Sequence, residues 1–211
     1  MKILEGDNMK KNKNVADQYF KQNGFSIAEV VLIILIVVSA IAATFIRGGL
    51  PIGLPILIIS ISGFILVRSS KVKDEEIDAL LAKLLTENNI NCTENTFVGY
   101  ELKNIAVKKR KDGKIISPKY YVTSVEFSLS EEIVFYVNAV DLINLDVTND
   151  FYTVKSKDGV SLSEESVHTP VGIKKATYLN IDGCEYPIPV DLRDYNSSQL
   201  IEKICSVYEK N

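Results

Sequence analysis

Polar and apolar positions along this chain fall into three patterns. Val30 to Ile46 holds 17 residues without a charge and Gly48 to Val67 holds 20. At the helical rise these runs extend about 25 and 30 Å, close to the thickness of a bilayer's hydrocarbon core. Only Arg47 separates them, and the second run opens in the turn Arg47-Gly-Gly-Leu-Pro-Ile-Gly-Leu-Pro. The pattern predicts a transmembrane helical hairpin over residues 25–70, with Ser39, Ala43, Ser60, Ser62 and Gly63 small enough for close helix approach. Neither run carries a charge at its centre, which suits an anchor better than a transport path.

The second pattern has the helical period. Ile77, Leu80, Leu81, Leu84 and Leu85 recur at i, i+3, i+4, i+7 and i+8, which predicts an amphipathic helix over Asp74 to Glu87 that stops at Asn88-Asn89. Its acids cluster in the first turn, where the helix dipole favours them. In the third pattern, from Phe97 to Pro189, short Val-, Ile-, Tyr- and Thr-rich runs alternate with turns. Ile105–Lys111 and Lys114–Ile116 flank Asp112-Gly113, the strongest hairpin signal. Tyr120–Leu129, Glu132–Ala139, Leu142–Val147, Phe151–Lys155, Ile173–Ile181 and Tyr186–Val190 read as further strands. Asn196 to Lys210 closes the chain as a helix with an apolar stripe of Leu200, Ile201, Ile204, Val207 and Tyr208, capped by Asn196 or Ser197. Four segments result: a polar basic tail (1–24), the hairpin (25–70), a linker helix (71–95) and a β domain with its terminal helix (96–211). In the tail, Val15, Ala16, Tyr19 and Phe20 share one helical face suited to a membrane interface.

Charge gives the hairpin an orientation. Lys10, Lys11, Lys13 and Lys21 precede it, Arg68, Lys71 and Lys73 follow it, and the connecting turn has Arg47 alone. By the positive-inside rule both termini are expected in the cytoplasm of a two-pass cell-membrane protein. Residues 71–211 carry 17 basic against 23 acidic side chains, a net of −6, which argues against a nucleic-acid partner. Cys92, Cys184 and Cys205 form no CxxC pair and His168, beside Pro170, reads as a surface loop residue, so no metal site is expected. Asp141, Asp146 and Asp150 lack the glycine and closing glutamate of a calcium loop. With no phosphate loop or nucleophile motif either, no catalytic residue, enzyme activity or cofactor is expected.

Three stretches resemble a known family. Tyr121-Val-Thr is similar to a Tyr-x-(Leu/Val)-Thr strand opening, and Val140-Asp-Leu-Ile-Asn-Leu-Asp-Val147 to an apolar-Asp-Ile strand. Tyr186-Pro-Ile-Pro-Val leads into Ser198-Gln-Leu-Ile-Glu-Lys-Ile as into a capping helix. Together they resemble a bacterial pleckstrin-homology-like (PH-like) domain behind a two-helix anchor. The resemblance implies a mainly-β barrel of about seven antiparallel strands, capped by the C-terminal helix and working as a binding module. It also implies that the first hairpin meets anionic headgroups. Lys108, Lys109, Arg110, Lys111 and Lys114 crowd that turn, each expected to add about 1 kcal/mol near an anionic leaflet. The expected partners are membrane lipid and a protein partner or second copy.

A different family is evoked by Gly24-Phe-Ser-Ile-Ala-Glu29-Val ahead of an apolar run. It resembles the processing site of type IV pilins and pseudopilins, which implies cleavage after Gly24, methylation of Phe25 and an assembly role for Glu29. The second apolar run departs from that family. The expectation is therefore a two-pass membrane-anchored protein presenting a cytoplasmic, non-catalytic PH-like binding or scaffolding module, with a pilin-like assembly protein as the alternative.

Overall fold

A computed structural model of the chain describes residues 15–22, 25–45, 50–128, 132–155 and 159–207. The chain forms two compact units: Lys21–Lys73, and the residues up to Phe20 together with Asp74 onward.

In the first unit α2 (Ile27–Phe45) and α3 (Leu50–Ser69) pack as an antiparallel pair. Helix begins at Leu50, earlier than the expected 47–55 turn allows. Pro51 lies in the first turn, where an N–H has no intrahelical acceptor, so only Pro55 forfeits a helical hydrogen bond. Ser39, Gly53 and Ser60 are buried at the contact, whereas Ser62 faces outward. A Cβ on Gly53 would stand 2.9 Å from the Ala43 amide and 3.0 Å from the Ser39 carbonyl, so glycine permits the close approach. The buried Ser39 hydroxyl donates to the Leu35 carbonyl at 2.6 Å, which offsets its burial. Val30, Ile34, Val38, Ile52, Ile59 and Leu66 are exposed on the outer faces. Both helices are long and apolar enough to cross a membrane.

At the open end of the pair, Ser26 and Glu29 form a capping box. The Ser26 amide donates to Glu29 Oε2 at 2.7 Å and the Glu29 amide donates to Ser26 Oγ at 3.2 Å. The same Oε2 accepts Lys71 Nζ at 2.6 Å, and the Glu29 side chain is fully buried.

The described part of the second unit opens in a short helix, α1 (15–21 by backbone conformation), whose last residue, Lys21, belongs to the first unit. Ala16, Tyr19 and Phe20 on its apolar face are buried in the protein, in place of the expected membrane-interface role. Helix α4 (Asp74–Glu87) has the expected bounds. Asn89 takes φ 56° and the Ile90 amide closes onto the Leu85 carbonyl at 2.8 Å, a left-handed stop of the kind asparagine tolerates. Ile77, Leu80 and Leu84 are buried.

Among the described residues, nine strands follow in three antiparallel sheets. β1 (Thr96–Tyr100), β4 (Lys119–Phe127), β5 (Ile133–Asp141) and β6 (Asp146–Val154) make a four-stranded sheet in the order β1-β4-β5-β6. β2 (Lys108–Lys109) and β3 (Ile115–Ile116) form the Asp112-Gly113 hairpin, with Gly113 at φ 86°. β7 (Val160–Thr169), β8 (Gly172–Ile181) and β9 (Ile188–Val190) form the third sheet. Among the described residues the sheets do not close into a barrel; β6 and β7 are edge strands, and β1 meets the end of β9 through the Asp191 amide on the Val98 carbonyl at 2.7 Å. Phe97, Phe135, Ile133, Leu179 and Ile188 form one core with Leu200, Ile201 and Ile204 of α5 (Tyr195–Val207).

Several strands differ from their expected bounds. Leu142–Leu145 is a turn, because Asp141 Oδ1 accepts the Ile143 and Asn144 amides at 2.9 and 3.0 Å and Leu145 takes φ 57°. The Val140–Val147 stretch is thus strand, turn and strand. Strand in the 105–111 run is limited to Lys108–Lys109, with the Arg110 amide closing the hairpin on the Lys114 carbonyl at 2.8 Å, and Asn104 before it lies at φ 57°. β7 escaped notice because Ser163, Glu164, Glu165 and Ser166 on this edge are polar and exposed. His168 lies on that strand opposite Ile173, outside any loop. α5 is capped by Asp194, whose Oδ2 accepts the Ser197 amide at 2.9 Å and hydroxyl at 2.8 Å. That frees Ser197 Oγ to accept the Val98 amide at 3.0 Å, tying helix to sheet. The end of the expected stripe, Tyr208, lies outside the described residues.

Two tests follow from this packing. A Cβ at Gly99 would overlap the Pro189 carbonyl of β9. Gly99→Ala is therefore expected to cost about 1–3 kcal/mol in urea unfolding followed by tyrosine circular dichroism. Gly113→Ala, with open space but positive φ, should cost only about 1 kcal/mol. In the hairpin, Lys71→Ala leaves a buried carboxylate without its cation. It should lower resistance to denaturing detergent more than Lys71→Ala combined with Glu29→Gln; equal losses would mean the pair is not coupled.

Candidate functional site

The five cations singled out in sequence surround the β2–β3 hairpin, but they divide into two sets. Lys108 lies 3.6 Å from the centroid of the Tyr19 ring and donates to the Tyr19 carbonyl at 3.0 Å. Arg110 reaches α4, where its two terminal nitrogens donate to the Asp78 carboxylate at 2.5 and 2.7 Å, a bidentate ion pair. Its Nε lies 3.9 Å from Asp74 and 3.7 Å from Asp112. Lys109, Lys111 and Lys114 are exposed. Two of the five cations thus hold α1 and α4 to the hairpin, and three face solvent.

Asp74 is the hub of this arrangement. Its Oδ1 accepts the Tyr19 hydroxyl at 2.7 Å and its Oδ2 accepts the Lys111 amide at 3.3 Å. Burial works against ionising Asp74, but the Tyr19 hydroxyl, the Lys111 amide and the Arg110 and Lys108 charges outweigh it. Its carboxyl is held below the usual range. Burial, with help from the bond to Asp74, raises the Tyr19 hydroxyl well above the ordinary tyrosine value. The bond to Asp78 raises Arg110, fixing its charge.

A cleft of about 260 Å³ lies beside the hairpin, with Asp78, Asp112, Asp191 and Asp194 in its wall. Each of these carboxylates already has work in the fold. Asp78 binds Arg110, Asp112 accepts the Lys114 amide, Asp191 binds Arg193 at 2.8 and 2.9 Å, and Asp194 caps α5. Tyr100 and Tyr120 also line it, their ring centroids 4.7 Å apart. No group of three or more metal-ligating side chains occurs among the described residues.

The pilin-type residues are placed differently. Gly24 lies outside the described residues. Phe25 is exposed, with the Arg68 guanidinium 5.8 Å from its ring centroid. Glu29 is engaged by Ser26 and Lys71 within its own hairpin. Sequence reasoning found the cations but not their partners Tyr19, Asp74 and Asp78. The only available signal was the cluster of acids opening α4, which the helix dipole already explained. In comparisons with known proteins, no family model, curated protein or solved structure matches the chain.

The buried tyrosines give this unit a defined pH dependence. Burial first of all raises Tyr19, Tyr120, Tyr178 and Tyr186, while Tyr152 is pushed up to about 12, chiefly by its bond to Cys184. The folded state therefore retains protons that the unfolded chain releases near pH 10. Their contribution is complete below about pH 10 and is lost as pH rises toward the folded values. Tyrosinate absorbance should rise together with unfolding; ionisation of all tyrosines near pH 10 in a still-folded protein would contradict this. The depressed Asp74 acts at the other end, contributing above about pH 4 and losing its contribution as pH falls through its folded value.

Proposed function

We propose that this is a two-pass membrane protein whose hairpin tethers a non-catalytic, PH-like binding or scaffolding module to one membrane surface, the cytoplasmic one. The observation that carries the reading is the membership of α1 and α4 in one folded unit. Residues leading into α2 and residues leaving α3 share buried contacts through Tyr19, Asp74 and Lys108. A folded unit occupies one side of a bilayer, so an even number of crossings separates these segments. The basic flanks favour the cytoplasm for that side.

Support for the PH-like assignment comes from strand order. With the short β2–β3 hairpin set aside, a four-stranded meander is followed by a three-stranded one and a terminal helix packed on the shared core. Lys109, Lys111 and Lys114 would then be the residues that meet anionic headgroups or an acidic partner, while Lys108 and Arg110 hold the hairpin in position. Tethering raises the local concentration of a weak site at the surface.

The pilin-like alternative is disfavoured on the same ground. Cleavage after Gly24 would remove Tyr19, whose hydroxyl donates to Asp74 and whose carbonyl accepts Lys108, together with the buried Ala16 and Phe20. The intact mass of the protein from membranes should include the residues before Phe25; a mature chain starting at methylated Phe25 would replace this reading with the assembly one. For the headgroup contact, full-length protein in nanodiscs containing phosphatidylserine should show slower amide exchange over 109–114 than in phosphatidylcholine alone. Replacing Lys109, Lys111 and Lys114 by Glu should erase the difference. Identical exchange in both lipids would remove the headgroup role.

A further inference from the structure

We propose that the free edge of β8 beyond β9 binds an extended, acidic peptide segment of a partner protein by β-strand addition. β8 is paired with β7 along its full length, but with β9 only at Thr177, Tyr178 and Leu179. Pro189, opposite Tyr178, has no N–H, so the hydrogen-bonded pairs are Thr177 with Val190 and Leu179 with Ile188. Alternation along the strand directs the amides and carbonyls of Lys175 and Ile173 to the same side, past the end of β9. The two-residue turn between Thr169 and Gly172 gives the same phase, because a closing pair of this kind bonds across to β7. No backbone partner stands opposite Lys175 or Ile173 among the described residues. At about 3.4 Å per residue, Gly172 to Ala176 offers roughly 14 Å of unpaired edge.

An open groove of about 290 Å³ adjoins this edge, with Leu102, Ile115 and Leu192 giving it an apolar lining and Lys174, Lys175 and Arg193 also contributing. Arg193 is paired with Asp191, and Lys175 is 3.6 Å from Glu164 across the strand pair. Lys174 is half-buried with no acidic partner among the described residues. Backbone groups select an extended strand and the apolar lining selects alternate apolar side chains; Lys174, paired with Val167, stands on the face of Leu102, and Lys175, on the other face, meets the acids between them. A second copy adding the same segment would set lysines opposite lysines, which is unfavourable.

The probe is a fluorescein-labelled hexapeptide alternating valine and glutamate, added to full-length protein in nanodiscs of zwitterionic lipid and followed by anisotropy. Saturable binding is expected, with little for a valine–lysine control. The Lys174→Glu, Lys175→Glu double variant should weaken it about tenfold. Because alternate amides of an added strand face β8, N-methylating one alternate set of peptide amides should weaken binding about tenfold, and methylating the other set should not. The variant with Lys109, Lys111 and Lys114 changed to Glu should bind the probe unchanged, which separates this edge from the basic hairpin whatever the fate of the headgroup reading. Absence of binding, equal binding of the lysine control, insensitivity to the Lys174 and Lys175 changes, equal effects of the two methylations, or loss in the hairpin variant would each overturn the proposal.

Discussion

Both ends of the apolar helix pair lead into the same folded unit, and most of the molecule's organisation depends on that closure. The Tyr19 hydroxyl on Asp74 joins residues 55 positions apart, with the whole hairpin between them. Neither element would hold alone. α1 is about two turns long, too short to persist in water without packing, and it is ordered by burying Ala16, Tyr19 and Phe20. α4 has a leucine face that must be covered, and Arg110 fixes its acidic first turn to the β2–β3 hairpin.

This closure changes the meaning of the charged turn. Five cations in seven residues look like one electrostatic surface when read along the chain. In the fold, Lys108 and Arg110 are structural, each turned back onto an aromatic ring or a carboxylate pair, and the hairpin they hold presents Lys109, Lys111 and Lys114 outward. A similar division applies to Glu29. A buried carboxylate ahead of an apolar run resembles an assembly residue, yet its Oε2 is engaged by the capping box and Lys71 inside one hairpin, while Oε1 is buried without a hydrogen bond.

What could be read from the sequence was whatever is local. The 3.6-residue period and the Asn88-Asn89 stop gave α4 its bounds, and alternation gave β4 and β5 within a few residues. Asp112-Gly113 marked its turn because glycine supplies the positive φ that the turn needs. The misreadings have local causes too. Leu142 to Leu145 is apolar and β-like, but the Asp141 carboxylate captures its amides and bends it into a turn. β7 is an edge strand whose polar face gives no hydrophobic period. Partner choice was out of reach: Arg110 and Asp78 stand 32 residues apart, and no spacing rule connects them.

The closure is tested most directly by asking which side of the membrane holds each flank. Cys92 and Cys205 are exposed thiols in the β-containing unit, and Gln18→Cys adds one on the exposed face of α1. A membrane-impermeant maleimide should label none of the three in intact cells and all three after permeabilisation. Labelling of the α1 cysteine from one side and Cys92 or Cys205 from the other would contradict the shared unit; labelling of all three from outside would leave it standing but reverse its orientation.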